Sequence, residues 1–200
     1  MFLGGFETTA FTLQSLAYEL ALNPEIQQTL IEEVDEMLER LDGRTISYEE
    51  LNEMEFLDMV LNETLRFRPA FRVTTRLCSR NYLIKDETTG KVITIEKGTQ
   101  IIIPINSIQL DSKYFPNPEK FDPYRFSDEN KGKIQSGSFI PFGIGPRICI
   151  GSRYALLESK LLLFTLISKF SIEKTTKTPD KLTRKRGMTG YKEKIYVSLR

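Results

Sequence analysis

The first third of the chain shows the spacing of apolar residues that is typical of helices. One long, mostly apolar helix is predicted over 2–22. A second, acidic helix is predicted over 25–40, where apolar side chains recur every three or four residues. Asn23 and Pro24 lie between the two, as the expected N-cap and first residue of the second helix.

The pattern changes after a third helical stretch. Ser47 and Glu50 form a candidate capping box, and a helix is expected from about Glu55 to Phe67, before Pro69. Short β-prone segments then follow at 72–76, 82–84, 92–95 and 100–104. Residues 111–145 are rich in Pro, Gly, Asn and Asp and have little periodicity, which is typical of a functional or disordered loop.

The end of the chain predicts one more helix and two short strands. Residues 151–169 are apolar nearly all round, which predicts a buried helix, and 171–172 and 195–199 have strand character. The apolar run 161–168 is far shorter than the roughly 20 residues that cross a bilayer. The expected fold class is therefore mainly α with small β-sheets.

Composition narrows the chemistry. The chain has 200 residues, a formal net charge of +1 and no histidine. The missing histidine excludes a Ser-His-Asp or Cys-His apparatus and any histidine-ligated zinc, iron or haem. The two cysteines, Cys78 and Cys149, allow a core thiol, one disulfide or a single-thiolate metal ligand.

The charge is unevenly distributed along the chain. Residues 1–63 sum to −13 and residues 64–200 to +14, although the net charge gives no support for nucleic acid as a partner. The alternatives are an acidic solvated helix followed by basic loops, or a basic half that meets an anionic cofactor or partner.

The most informative segment lies around Cys149, over 142–151. Its glycines and proline predict a rigid loop that another group can approach closely. Cys149 comes just before the last helix, whose positive end, together with Arg147, favours a thiolate. Ile148 stands where a dinucleotide fingerprint needs glycine, and no phosphate-loop lysine follows. From these residues alone, a glycine loop around a buried structural cysteine is the commoner interpretation.

Two further segments place polar or flexible residues in apolar helices. On a helical wheel Glu63 points into the apolar face and Arg66 borders it, so a buried, mutually satisfied pair with a further donor is expected. An ordinary surface pair is the alternative. Gly4-Gly5 costs about 1 kcal/mol per glycine relative to alanine. Room for a ligand or a close helix–helix crossing would compensate, and the Thr8 hydroxyl can bond the Gly4 carbonyl.

Together these segments resemble the cytochrome P450 family of haem-thiolate monooxygenases. The loop matches the family pattern Phe-x-x-Gly-x-Arg-x-Cys-x-Gly at Phe142, Gly145, Arg147, Cys149 and Gly151. The family's Glu-x-x-Arg helix, Pro-x-Arg-Phe segment and oxygen-activating stretch match at Glu63 and Arg66, at 123–126 and at 4–9. The resemblance covers essentially the whole chain but only about the last two-fifths of a family member, as a C-terminal fragment or truncated gene model would.

The resemblance implies a cofactor and its contacts. Haem, an iron protoporphyrin IX, would take the thiolate of Cys149 as its axial ligand. The other cofactor-binding residues that it implies are Phe142, Gly143, Gly151, Arg147 and Arg76. The phenylalanine would pack beside the ring, and the two arginines would pair with haem propionates.

It also implies roles for residues outside the cysteine loop. Glu7 and Thr8 would support a water relay that delivers protons to iron-bound dioxygen. The residues expected to line the substrate pocket are Ala70, Phe71 and Val73. The structural residues that hold the segment before the cysteine loop would be Glu63, Arg66 and Arg125.

The activity that the resemblance implies is insertion of one atom of dioxygen into a lipophilic compound. Electrons would come from NADPH through NADPH–cytochrome reductase, with cytochrome b5 as a further candidate donor. The uneven charge suggests, as a hypothesis, that the basic half offers the reductase a docking face that includes Lys131, Lys133 and Arg153. Likeness to animal microsomal members implies the cytoplasmic face of the endoplasmic reticulum membrane, through an N-terminal anchor outside this chain.

The whole chain, 1–200, is expected to form the haem-binding portion of one incomplete domain. Two alternatives stay open. One is a truncated, catalytically inactive chain without stable haem binding. The other is a cysteine-ligated haem protein that rearranges peroxides without a reductase.

Overall fold

The computed structural model describes residues 2–185 and 190–200, and its helices follow the apolar spacing. Helices α1 to α7 are Phe2–Leu22, Pro24–Leu41, Tyr48–Glu53, Glu55–Phe67, Ile105–Gln109, Asp128–Lys131 and Ser152–Ile167. Strands β1 to β6 are Thr74–Leu77, Tyr82–Lys85, Val92–Ile95, Gln100–Ile103, Ile172–Lys174 and Val197–Leu199. Short 3-10 turns are formed by Pro123–Phe126 and Gly145–Arg147. The expected fold class, mainly α with small β-sheets, is confirmed.

The main core lies between α1, α2, α4 and α7. Each helix contributes an apolar stripe, and the almost completely buried residues include Leu20, Leu30, Val34, Leu57 and Leu163. Complete burial of such a side chain stabilises the fold by roughly 1.5–3 kcal/mol. The apolar packing between these four helices therefore fixes the position of α4, the helix with the predicted Glu-x-x-Arg pair.

Of the two predicted helix caps, the capping box at Ser47 and Glu50 is confirmed, whereas Asn23 bonds the preceding helix. The capping box is present, because Ser47 Oγ accepts from the Glu50 N–H at 3.2 Å and Glu50 Oε2 accepts from the Ser47 N–H at 2.9 Å. Asn23 does precede α2, but its side chain makes no N-cap bond. Instead its Nδ2 donates to the Glu19 carbonyl at 2.8 Å and closes the end of α1.

The short strands form antiparallel pairs. Among the described residues β1 pairs with β4, with Arg76 opposite Ile101, and β2 pairs with β3 as a hairpin nested between them. The two last strands pair near the C-terminus, with Ile172 opposite Leu199. The four predicted β segments are confirmed, except that the first begins at Thr74 rather than Arg72.

Two features of the helices differ from the expectation. Helices α5 and α6 lie in stretches for which no helix is predicted. The prediction that α7 is buried nearly all round is wrong on one side, where Tyr154, Leu161 and Leu162 are 67%, 44% and 47% exposed. The reason is that α1, α2 and α4 all pack against α7 through its other side, which carries Leu163 and Ile167. Within the described ranges, no helix has the length and hydropathy to cross a membrane.

Candidate functional site

A buried ion pair lies at the C-terminal half of α4. Arg66 Nε donates to Glu63 Oε2 at 2.6 Å and Arg66 Nη2 donates to Glu63 Oε1 at 2.8 Å, and both residues are completely buried. This two-point geometry matches the planar guanidinium to the carboxylate. The predicted buried pair is confirmed, and the surface-pair alternative is wrong.

Further donors surround the carboxylate. The Asp122 N–H donates to Glu63 Oε1 at 2.8 Å, which is the additional donor that the sequence predicts. Arg125 contributes charge rather than a hydrogen bond, because its Nε lies 3.6 Å from Glu63 Oε1 while its Nη2 donates to the Asn117 carbonyl at 2.9 Å. Burial raises the pKa of the Glu63 carboxyl, and the hydrogen bonds and charge of Arg66 oppose that rise.

Arg66 also holds part of the irregular segment that follows α5. Its Nη1 donates to the Gln109 carbonyl at 2.8 Å, and its Nη2 also contacts the Pro118 and Lys120 carbonyls at 3.0 and 3.3 Å. These bonds satisfy backbone groups of a loop that forms few regular ladders. The backbone at Pro118 and Lys120 is therefore held by a side chain from a helix.

Gln109 is a buried polar residue that the sequence gives no reason to select. Its side-chain Nε2 donates to the Leu65 and Arg66 carbonyls at 3.0 and 2.9 Å, and its Oε1 accepts from the Ile140 N–H at 2.8 Å. All three partners are backbone atoms, so no side-chain motif marks them. Residues 105–110 also contain Asn106 and Ser107, so nothing in the sequence distinguishes Gln109 from its polar neighbours.

The cysteine loop is a tight turn. Gly143 and Gly145 have φ values of 76° and 74°, in the left-handed region that favours glycine. The loop is closed by the Cys149 N–H, which donates to the Phe142 carbonyl at 2.9 Å, and by the Gly143 N–H, which donates to Ile140 at 3.0 Å. Phe142 packs against the main core on its inner side.

The outer face of this loop is open. Cys149 is exposed and both cysteines are free, so a buried structural thiol and a disulfide are excluded for Cys149. Its apolar neighbours are also exposed, and Ile150 reaches 99%. Arg147 is exposed as well, on the 3-10 turn that precedes the cysteine.

The start of α1 has the local geometry that the sequence predicts. Thr8 Oγ1 donates to the Gly4 carbonyl at 2.6 Å, and the Glu7 side chain is exposed. A Cβ added at Gly4 or Gly5 would meet no atom within 4 Å. Among the described residues, therefore, no other helix crosses close to the two glycines.

The remaining predicted site residues lie on β1 and the turn before it. Arg76 Nη1 donates to Thr74 Oγ1 and to the Thr75 carbonyl, at 3.1 and 2.9 Å. Phe71 and Val73 are exposed, whereas Ala70 is half-buried. Across the ranges that the structure describes, no hydrogen bond or ion pair joins Arg76, Glu7 or Thr8 to the cysteine loop.

Comparison with known proteins places this arrangement in a class. The sequence model of the cytochrome P450 family matches residues 1–199. Cytochrome P450 9e2 of Blattella germanica is 45% identical over 186 residues, which are 92% of this chain and 34% of that protein. Cytochrome P450 6B1 of Papilio polyxenes is 43% identical over 200 residues, 99% of this chain and 39% of the relative. Cytochrome P450 3A31 of Mesocricetus auratus is 43% identical over 183 residues, 90% and 35% respectively.

These matches, together with the exposed thiol on a glycine turn, identify the class as the haem-thiolate proteins. The chain belongs to the cytochrome P450 family. Family membership supports haem with a cysteine thiolate as its axial ligand. The chain spans about a third of the length of the curated relatives that it matches.

Proposed function

We propose that residues 1–200 form the haem-binding, C-terminal portion of a single cytochrome P450 domain, with Cys149 as the axial ligand of the iron. The observation that carries this proposal is the exposed, unpaired thiol of Cys149, held on a glycine turn by its own N–H at the Phe142 carbonyl. A soft thiolate ligand matches haem iron.

The residues present fit the cofactor. In the described part of the chain, no group of three or more His, Cys, Asp or Glu side chains is arranged to hold a metal ion. Ile144, Ile148 and Ile150 expose apolar side chains that can cover a flat apolar ring. Arg147 and Arg76 supply guanidinium groups for its carboxylates.

The protein's own residues would position protons and exclude water. When bound, haem supplies the activation of dioxygen, favoured by the electron density of the thiolate. The Thr8 hydroxyl gives its hydrogen to the Gly4 carbonyl, which leaves the lone pairs of Oγ1 to accept from a water. Glu7 is exposed, so its carboxylate can accept a hydrogen bond from water. Glu7 and Thr8 are thus proposed as the proton-relay residues.

For the complete enzyme we propose monooxygenation of a lipophilic organic compound, since the family uses a redox partner and lipophilic substrates. NADPH–cytochrome reductase is the proposed electron source, with cytochrome b5 as an additional donor, at the endoplasmic reticulum membrane. Ala70, Phe71 and Val73 are proposed to line the pocket, and two of them are exposed on the turn before β1.

One of the three basic residues of the proposed docking face for the reductase, Lys131, is paired with an acidic neighbour. Lys131 Nζ lies 2.5 Å from Asp128 Oδ1, so much of its charge is compensated, whereas Arg153 is exposed. Lys133 donates to Asn130, a neutral partner. Reversal of the charges at Lys133 and Arg153 is expected to slow reductase-dependent turnover at low salt. Unchanged turnover would remove this face from the proposal.

A carbon-monoxide difference spectrum of the chain reconstituted with haem tests the proposal. The wild-type chain is expected to give the thiolate-type band, and Cys149→Ser to lose it. Cys78→Ser is the matched control, because Cys78 is the other free cysteine and its Sγ is held locally at the Arg80 carbonyl at 2.9 Å. Retention of the band in Cys149→Ser contradicts the assignment. Absence of the band in the wild-type chain favours the truncated, inactive alternative, and turnover that ignores NADPH and reductase favours the peroxide-rearranging one.

A further inference from the structure

Gln109, the last residue of α5, lies between the acid–arginine pair and the cysteine loop. Its side chain is completely buried, and burying an amide is costly unless its donors and acceptor are bonded. Every polar atom of the side chain has a partner, as described above. Such a completely bonded buried amide fixes its surroundings in one arrangement.

One end of the Gln109 amide holds α4. The Leu65 and Arg66 carbonyls belong to the last turn of that helix, where backbone acceptors have no partner within the helix. Gln109 Nε2 donates to both, at 3.0 and 2.9 Å. The main-chain carbonyl of Gln109 in turn accepts from Arg66 Nη1 at 2.8 Å, so residue and helix are joined in both directions.

The other end holds the segment that leads into the cysteine loop. Gln109 Oε1 accepts from the Ile140 N–H at 2.8 Å. The Ile140 carbonyl accepts from the Gly143 N–H at 3.0 Å, which forms the first turn of the loop. The Phe142 carbonyl then accepts from the Cys149 N–H at 2.9 Å. The bonds therefore run without a break from Gln109 to the backbone of the cysteine.

Arg66 does not reach the loop itself. Within residues 2–185 and 190–200, the side-chain hydrogen bonds of Arg66 end on Glu63, Gln109, Pro118 and Lys120. We propose that Gln109 is a positioning residue that transfers the placement of α4 to the loop of the axial ligand. This inference rests on the proposed function of Cys149, but the geometry that it invokes is present in the protein chain itself.

Amide hydrogen exchange of the full chain, read residue by residue, tests the coupling without any cofactor. Gln109→Met keeps the length of the side chain and removes its polar atoms, and it is expected to raise exchange at Ile140, Gly143 and Cys149 at least tenfold. Gln27→Met is the matched control. Gln27 is also a buried amide, and it bonds the Ile172 carbonyl and N–H at 2.8 and 2.6 Å, far along the chain from the loop.

Both methionine variants leave buried backbone groups unpaired, so both are expected to lower the melting temperature. Gln27→Met is expected to raise exchange at Ile172 and to leave Cys149 within threefold of wild type. Exchange at Cys149 within threefold of wild type in Gln109→Met overturns the proposal. An equal rise at Cys149 in both methionine variants overturns it as well, because general destabilisation would then explain the effect.

A second variant separates the two ends of the amide. Gln109→Glu keeps an oxygen for the Ile140 N–H but loses the amide donors to α4. Because the proposed path needs both ends, exchange at Cys149, corrected for the lower stability, is expected to rise to a value between those of wild type and Gln109→Met. Exchange at Cys149 equal to wild type in Gln109→Glu contradicts the assigned path. In the haem-loaded chain, Gln109→Met is expected to weaken the thiolate-type band and Gln27→Met to keep it. Failure of the proposed haem site appears differently, as a missing band in wild type with the exchange pattern intact.

Discussion

The acid–arginine network, formed by Glu63 and Arg66 with their backbone partners, differs from the cysteine loop in how its polar groups are bonded. Glu63 and Arg66 are completely buried, and their polar atoms bond each other and the backbone of the following segment. Among the described residues, the hydrogen bonds of the loop over 143–150 join backbone groups of the loop and of adjacent residues, and its cysteine and isoleucines are exposed. The polar groups of the buried pair are therefore bonded within the described residues, whereas the outer face of the loop exposes a free thiol and apolar side chains, as the proposed haem site requires.

The largest expected effect comes from breaking the network. Arg66→Met removes the partner of a buried carboxylate and leaves several buried carbonyls without donors. Loss of one member of a buried pair costs about 3–5 kcal/mol, so urea unfolding is expected to show a loss of that size. The cysteine loop is expected to contribute little to this loss of unfolding free energy.

An exposed ion pair provides the matched control. Arg40 and Glu53 bond at 2.9 Å with side chains that are 57% and 56% exposed. Arg40→Met is expected to cost less than about 1 kcal/mol, because solvent screens such pairs. Equal losses of unfolding free energy in Arg66→Met and Arg40→Met would show that burial does not make the Glu63–Arg66 pair more important for stability than an exposed pair.

Sequence reasoning locates the network and the loop for different reasons. Glu63 and Arg66 are predictable because helical periodicity within one element decides which way a side chain points. The cysteine loop is predictable because its glycines and cysteine stand at fixed local spacing. Arg125 is found only through family resemblance, and the structure places its Nε at 3.6 Å from the carboxylate.

The parts that sequence reasoning missed depend on distant pairing. Gln109 bonds backbone atoms of residues 43, 44 and 31 positions away, and no local pattern encodes those contacts. The pairing of β1 with β4 around the nested hairpin is likewise non-local. The exposed side of α7 is not predicted, because the sequence shows that a residue is apolar but not whether another part of the protein covers it.

A smaller effect is expected from straining the loop. Gly143 has a φ of 76°, and a Cβ there would lie 3.9 Å from the Arg147 carbonyl, so the cost is backbone strain rather than a clash. Gly143→Ala is expected to lower stability by about 1–2 kcal/mol in thermal or urea unfolding. The haem spectrum of the variant then shows whether the turn sets the position of Cys149.

Gly132 is the control for that substitution. It has a φ of −69° and ψ of −14°, and a Cβ there would meet no atom within 4 Å. Gly132→Ala is expected to be neutral or to stabilise by a few tenths of a kcal/mol, since the change mainly restricts the unfolded chain. A loss at Gly132 as large as at Gly143 would contradict the argument from left-handed backbone.

The smallest effect is pH-dependent and lies far from both regions, at the start of α3. The Ser47 backbone N–H, and after it the Arg44 side chain, lower the pKa of Glu50 below its ordinary value of 4.5. A carboxyl whose pKa is lower in the folded state stabilises above its unfolded pKa, and that contribution is lost as the pH falls through the folded value. Glu50→Gln is therefore expected to lower the melting temperature at pH 7 by about one to three degrees. Below the unfolded pKa the difference from wild type, measured at the same pH to cancel every other titrating group, is expected to shrink. A difference that stays constant on acidification would show that the capping box, unlike the buried network, does not depend on the charge of its carboxylate.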